Sequence, residues 1–229
     1  MNFNPIAWVR FLLNGGPMMW PLFACALTSI VVIIERSTAI GRAGADTETL
    51  LDKIRQMLSE GRTKDALTLA ESTRGPVAVL IASGIRNRDM DADAIERSME
   101  ELALRETPFL YKRLGILDTI ITIAPLLGLL GTVTGMIKAF NVVGSVGLNQ
   151  PMEITGGVAE ALIATASGLA IAIVTLIGYN FLTERVKEII AEMETRATQL
   201  LNILASNRTG GGTRVSEANT PEIKEQESV

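Results

Sequence analysis

The sequence predicts an all-α integral membrane protein with three transmembrane helices and a helical extramembrane domain. Two observations carry this. Apolar residues make up 48% of the chain and charged residues 20%, whereas a soluble domain carries nearer about 25% charge. The apolar excess also falls into three uncharged blocks instead of being spread along the chain. A bilayer core of roughly 30 Å takes about 20 apolar residues of helix. Lipid offers the backbone no hydrogen-bond partners, so each block is read as a helix.

Residues 1–16 are expected as an N-terminal arm and 17–35 as the first span. Phe11 to Ile34 holds no charge, with Trp20-Pro21 near its start. Glu35-Arg36 follow directly without a small-residue cleavage site, which argues against a signal peptide. Leu22-Phe23-Ala24-Cys25 loosely matches a lipoprotein box. The apolar run continues well past Cys25, where a polar tether would stand, so Cys25 is read as a small apolar residue of the span.

Residues 36–113 are too long for a mere connector and carry helical periodicity. Leu50, Leu51, Ile54, Met57 and Leu58 form one apolar stripe, and Ala66, Leu67, Leu69 and Ala70 another. Gly61 separates them and Gly75-Pro76 ends the second. Val77–Ile85 is expected as a third short helix. A fourth, capped by Asp91 or Asp93, is expected to run through Met99, Leu102 and Leu110 into the second span, with a kink at Pro108.

The second span is placed at 114–140, around the uncharged run Thr119–Ile137, and the third at 157–183, around Ala161–Leu182. A loop at 141–156 joins them. Val186, Ile189, Ile190, Met193, Ala197, Leu200, Leu201 and Leu204 predict a C-terminal helix at 184–208. Its stripe would pack against the loop helices or a neighbouring subunit. Residues 209–229 are Gly-rich and polar and are expected to be disordered.

Basic residues orient the chain. The 36–113 segment brings Arg36, Arg42, Lys112 and Arg113 to the membrane, and the tail adds Arg185 and Lys187. These sides are expected in the cytoplasm, with the N-terminus and the 141–156 loop outside. The net charge of -4 offers no basic patch for nucleic acid. The chain has no histidine and a single cysteine, which excludes imidazole catalysis, His-containing metal sites and an internal disulfide. No cofactor or metal is expected, and an intramembrane hydrolase lacks its motifs.

Three features inside the spans call for function. Glu160 lies at the start of the third span, and an ionisable residue there is expensive, about 2.5–3.5 kcal/mol for Asp near the centre. It is either a proton carrier or a residue at the outer interface, solvated or acting as a structural hydrogen-bonder. Thr132 and Thr165 lie at similar predicted depths, roughly 12–15 Å from the outer ends of their helices at 1.5 Å per residue. They either line one polar pathway with Glu160 or bond the carbonyl of their own preceding turn. Gly128, Gly131 and Gly135 on the second span, and Ala164, Gly168 and Ala172 on the third, form small-residue rows that permit close helix packing. Asp118, near the inner edge, is expected to be solvated or paired with Lys112 or Arg113.

These residues also carry a pattern. Ala124-Pro125-Leu126-Leu127-Gly128-Leu129-Leu130-Gly131-Thr132-Val133-Thr134-Gly135-Met136 resembles the second-span signature of the MotA/TolQ/ExbB proton-channel family. Ala159-Glu160-Ala161-Leu162-Ile163-Ala164-Thr165-Ala166-Ser167-Gly168-Leu169, followed by Tyr179-Asn180, resembles the third-span signature of its ExbB branch. Gly16-Pro17-Met18-Met19-Trp20-Pro21 and Glu35-Arg36 resemble the flanks of the first span. The resemblance implies a homo-oligomeric ring, commonly a pentamer, in the bacterial inner membrane. The second and third spans of such a ring line a pore around an ExbD- or TolR-like single-span partner, which supplies an intramembrane aspartate. Proton flow then drives work passed on by a TonB- or TolA-like transducer. On this resemblance Glu160 is the pore glutamate and Thr132 and Thr165 are the pore threonines. A glutamate at this place favours ExbB over TolQ. A TolQ-like envelope role and a passive scaffold stand as alternatives, while a flagellar stator would need a fourth span. Relatives often carry a proline in the later third span, where Val174 follows Ile173 here.

Overall fold

The computed structural model describes residues 15–43, 47–146 and 151–216, with the backbone alone at 42, 145, 146, 151 and 208–216. Among the described residues the chain is helical throughout: α1 Met19–Ala43, α2 Thr47–Ser59, α3 Thr63–Ser72, α4 Pro76–Arg86, α5 Ala92–Tyr111, α6 Leu114–Val146 and α7 Pro151–Ser216. The stretches Met19–Gly41, Ala92–Gly144 and Met152–Asn207 each contain a segment long and apolar enough to cross a membrane. The chain forms two compact units. One draws on Met1–Ile40 and Tyr111–Val186, the other on Gly41–Leu110 and Lys187–Val229.

In the first unit, α1 opens at Gly16, whose φ of 73° belongs to the left-handed region that favours glycine. The Gly16 carbonyl accepts the Met19 N–H and the Pro17 carbonyl accepts that of Trp20. Pro21 sits in the first turn, where a missing N–H leaves no helical bond unmade. Met19 and Leu22 pack with Ile120, Ala124 and Ala172, flanked by Cys25, Leu127, Ile163 and Ile171. At the other end of α1, Glu35 pairs with Arg113.

Arg113 corrects one expectation. The fourth helix does not run on into the second span: α5 ends at Tyr111 and α6 begins at Leu114. Arg113 between them adopts a φ of 66°, a conformation that costs a non-glycine residue roughly 1–2 kcal/mol. Pro108 and Pro125 both sit inside helices, α5 and α6. The loop expected at 141–156 is mostly helix, because α6 reaches Val146 and α7 starts at Pro151. The small residues there, Gly144, Gly156 and Gly157, do not break either helix. The C-terminal helix extends to Ser216, past the predicted end at 208. The rest of the expected tail, and most of the N-terminal arm, lie outside the described residues.

α6 and α7 approach almost backbone to backbone. A Cβ on Gly168 would stand 2.5 Å from the Ala124 carbonyl oxygen, and one on Gly128 would stand 3.0 Å from the Thr165 Cα. A Cβ on Gly135 would stand 2.7 Å from the Gly157 carbonyl oxygen, and one on Gly131 would collide with the Ala164 methyl. The predicted small-residue rows therefore face one another within one subunit. Outward-facing side chains on these helices are apolar and open, among them Leu126, Leu129, Ile173, Ile177 and Phe181. That is a surface suited to lipid or to other membrane helices.

The second unit is a helical bundle whose core follows the predicted stripes. Leu50, Leu51, Ile54 and Leu58 are buried on α2, and Ala66 and Ala70 on α3. Helix α4 begins with Pro76 and is buried along most of its length. Gly75 at φ 129° lets the chain turn against the Ala43 carbonyl, 2.8 Å from where a Cβ would stand. The Asp91 carbonyl accepts the Ala94 and Ile95 N–H groups at the start of α5. Gly84 on α4 lies against Leu200 of α7 and Met99 of α5. The C-terminal stripe thus packs against the loop helices. Arg62 bonds Glu60 and Asp65 across the α2–α3 turn.

Two stability predictions follow from this packing. Gly168→Ala should lower the thermal midpoint of the detergent-solubilised protein by the equivalent of about 1–3 kcal/mol. Gly144→Ala, where a Cβ meets nothing within 4 Å, should change it by less than about 0.5 kcal/mol. In the second unit, Ile81→Ala at a fully buried site should cost about 2–5 kcal/mol. Equal midpoints for the two glycine variants would refute the close approach of α6 and α7.

Candidate functional site

The α6–α7 contact sets the place of every predicted site residue. The Thr165 hydroxyl donates to the Gly128 carbonyl at 3.0 Å, across the helix pair. The Thr132 hydroxyl donates at 2.6 Å to the Leu129 carbonyl of its own helix. Thr165 is thus level with Gly128, about one turn, or roughly 6 Å, along α6 from Thr132 toward its N-terminus. The two hydroxyls are not paired, and each has its own acceptor. Helical geometry assigns the Thr132 N–H to the same Gly128 carbonyl that takes the Thr165 hydroxyl, and a carbonyl oxygen has two lone pairs to offer.

Glu160 stands apart from both threonines. At about 100° per residue, Thr165 lies roughly 140° round α7 from Glu160. Glu160 instead follows the side of α7 that carries Ile163 and Ile171, where α1 packs. Its carboxylate Oε1 pairs with the Lys138 Nζ at 2.7 Å. Lys138 is on α6, about three turns beyond Leu127 and on the same face, again toward α1. A Cβ on Gly16, just before α1, would overlap the Glu160 carboxyl group. Only 17% of the Glu160 side chain is exposed, against 52% for Lys138. The acid is therefore enclosed by three chain segments and held by one cation.

The predicted set thus divides. Thr132 and Thr165 share one flank of the α6–α7 pair, the flank away from α1. Glu160 occupies the other. Lys138 was missed by sequence reasoning, although its signal was present: it is the charged residue that ends the uncharged run at Ile137. It falls inside the predicted span 114–140, and nothing in the sequence alone ties it to an acid on the next helix. Gly16 gave only the signal of a glycine before a span.

Asp118 is exposed on α6, and its expected partner Arg113 pairs with Glu35 instead. Asp118 lies one turn from Thr122, whose hydroxyl donates to the Asp118 carbonyl at 3.2 Å. Helix α7 is continuous through Ile173-Val174. Among the described residues no cluster of His, Cys, Asp and Glu side chains could hold a metal ion.

Known proteins carry the same pattern. The profile of the MotA/TolQ/ExbB proton channel family matches residues 72–195, a stretch that includes Thr132, Lys138, Glu160 and Thr165. The biopolymer transport protein ExbB of Aquifex aeolicus is 46% identical over 85 residues, covering 37% of this chain and 57% of that protein. The biopolymer transport protein exbB1 of Vibrio cholerae is 30% identical over 197 residues, 78% of this chain and 80% of that one. The Tol-Pal system protein TolQ of Haemophilus influenzae is 32% identical over 184 residues, 73% of this chain and 78% of that one. The matched part thus spans from little more than half to four fifths of these relatives. The chain belongs to the MotA/TolQ/ExbB proton channel family.

Proposed function

We propose that this protein is the proton-channel subunit of an ExbB–ExbD type motor, which uses the proton motive force to energise TonB-dependent transport across the outer membrane. The observation that carries the reading is a single carboxylate, Glu160, enclosed near the outer end of a membrane-length helix in a chain of this family. A carboxylate in a span can take up and release a proton, and one charge moved through 100 mV is worth about 2.3 kcal/mol. In this reading the chain sits in the bacterial inner membrane with its N-terminus in the periplasm and its C-terminus in the cytoplasm. Copies assemble into a homo-oligomeric ring, a pentamer by the resemblance, around an ExbD- or TolR-like partner with one span. A TonB-like transducer carries the work outward.

The two threonines take a different part from Glu160. On the flank that α1 leaves uncovered, they present neutral hydroxyl groups. A partner helix bearing a protonated acid can face such a surface without stranding a charge, since a neutral acid donates a hydrogen bond where a carboxylate would need a cation. The TolQ relative supports a second reading, a Tol-Pal type motor built on the same chemistry.

Glu160→Gln should abolish proton-driven uptake while leaving membrane insertion and complex assembly intact. The assay is growth on a nutrient that requires TonB-type uptake, with the chain co-expressed with its single-span partner and the complex recovered by purification. Thr132→Val together with Thr165→Val should reduce uptake at least about tenfold, since each hydroxyl's loss leaves polar contacts unmade. Normal uptake in Glu160→Gln would remove Glu160 from the proton path.

A further inference from the structure

We propose that Lys138 is the counter-ion and positioning residue of Glu160, and that the Gly16 backbone closes the seat in which Glu160 is held. The proposal deepens the reading of Glu160 as the proton carrier, and rests on it for its role in the motor. Three observations converge. The Lys138 ammonium lies 2.7 Å from Glu160 Oε1, the distance of a charge-assisted hydrogen bond. The Glu160 side chain is mostly shielded while Lys138 is half exposed, so the lysine reaches inward from the outer end of α6 along its own alkyl stem. Gly16 combines a left-handed φ with a position that leaves no room for a Cβ beside the carboxyl group.

The seat gives Glu160 two states. As a carboxylate it is held by Lys138 on the α1 side of the helix pair, turned away from Thr132 and Thr165. When a proton from the outer aqueous side binds the carboxylate oxygen, the acid becomes neutral and its attraction to the ammonium is lost. The side chain is then free to leave the seat, and Lys138 returns to water. When the proton departs, the carboxylate regains its pull on Lys138. Lys138 is in this way a latch whose hold depends on the charge of Glu160, and Gly16 limits where the freed side chain can go.

The test uses a hydrophobic carbodiimide, which modifies protonated carboxyl groups within membranes. The full-length chain with its single-span partner is labelled in native membranes, and modification at Glu160 is quantified by mass spectrometry alongside uptake. Lys138→Met should raise the labelling rate of Glu160 about tenfold, the size expected for losing a hydrogen bond to a charged group, and should impair uptake. Lys138→Arg keeps the cation and should restore near wild-type labelling. Gly16→Ala should displace Glu160 and also raise labelling. Membrane abundance of each variant guards against misfolding, and Lys138→Arg supplies the readout if Lys138→Met fails to accumulate: labelling raised as much as in Gly16→Ala would overturn the counter-ion role. Unchanged labelling in both Lys138→Met and Gly16→Ala would overturn the seat. The two ideas fail separately, because normal uptake in Glu160→Gln would remove the proton-carrier role and leave the labelling result standing.

Discussion

The close approach of α6 and α7 is the constraint from which the rest of the first unit follows. Two apolar helices in lipid gain little from the hydrophobic effect, because the lipid is as apolar as they are; packing and hydrogen bonds must hold them. Both require the backbones to come near. Ala124 with Gly168, Gly128 with Thr165, Gly131 with Ala164, and Gly135 with Ala161 and Gly157 form a ladder in which each rung is small on at least one side. The ladder also fixes register. A slip of one residue would place methyl groups against carbonyl oxygens, which no rotamer can relieve. With the register fixed, Thr165 falls on the Gly128 carbonyl and Lys138 falls within reach of Glu160.

That ladder divides the helix pair into two chemically unlike flanks. On one, α1 covers an apolar strip that ends in a lysine, a glutamate and a glycine with no room for a side chain. On the other lie two half-buried threonines, one of them bonded to the buried Gly128 carbonyl. The covered flank keeps a charge where it can be balanced. The open flank offers polar groups without net charge, so a second helix can move along it without burying an unpaired ion. In the motor proposed above, the first flank would hold charge until a proton neutralises it, and the second would be a surface on which displacement is not blocked by ion pairs.

Much of this was legible in the sequence, and the misses have physical causes. The three spans were visible because each is built around a long uncharged run. The helices of the second unit were visible because apolar stripes and the Gly75-Pro76 punctuation agree. The break at Arg113 was not, because the left-handed position is filled by an arginine instead of a glycine, and its ion pair with Glu35 joins residues far apart in sequence. The helical course of much of 141–156 was hidden by glycines, which read as loop in water but are common in membrane helices. The threonines were found as residues, but their separation from Glu160 was not, because depth along a helix says nothing about angle around it. Lys138 and Gly16 were hidden for the same reason. Each is ordinary on its own helix or turn, and only the packing of three segments brings them to one carboxyl group.

The replacement of the family's frequent proline by Val174 now takes on a definite sense. Helix α7 passes through Ile173-Val174 unbroken. The polar feature nearby is Thr175, fully buried, whose hydroxyl donates to the Ile171 carbonyl at 2.7 Å. Such a back-bond bends a helix slightly but leaves its ladder intact. Helix α6 differs, since Pro125 cannot donate to the Ile121 carbonyl and removes one rung outright. Pro125 also follows Ala124 directly, the residue whose carbonyl meets Gly168. If the helix pair flexes, the compliant point is therefore in α6, at the N-terminal end of its glycine ladder. Helix α7 would carry Glu160 as part of a stiff rod, and the displacement of that acid would come from its own side chain leaving Lys138, not from bending of the helix that bears it.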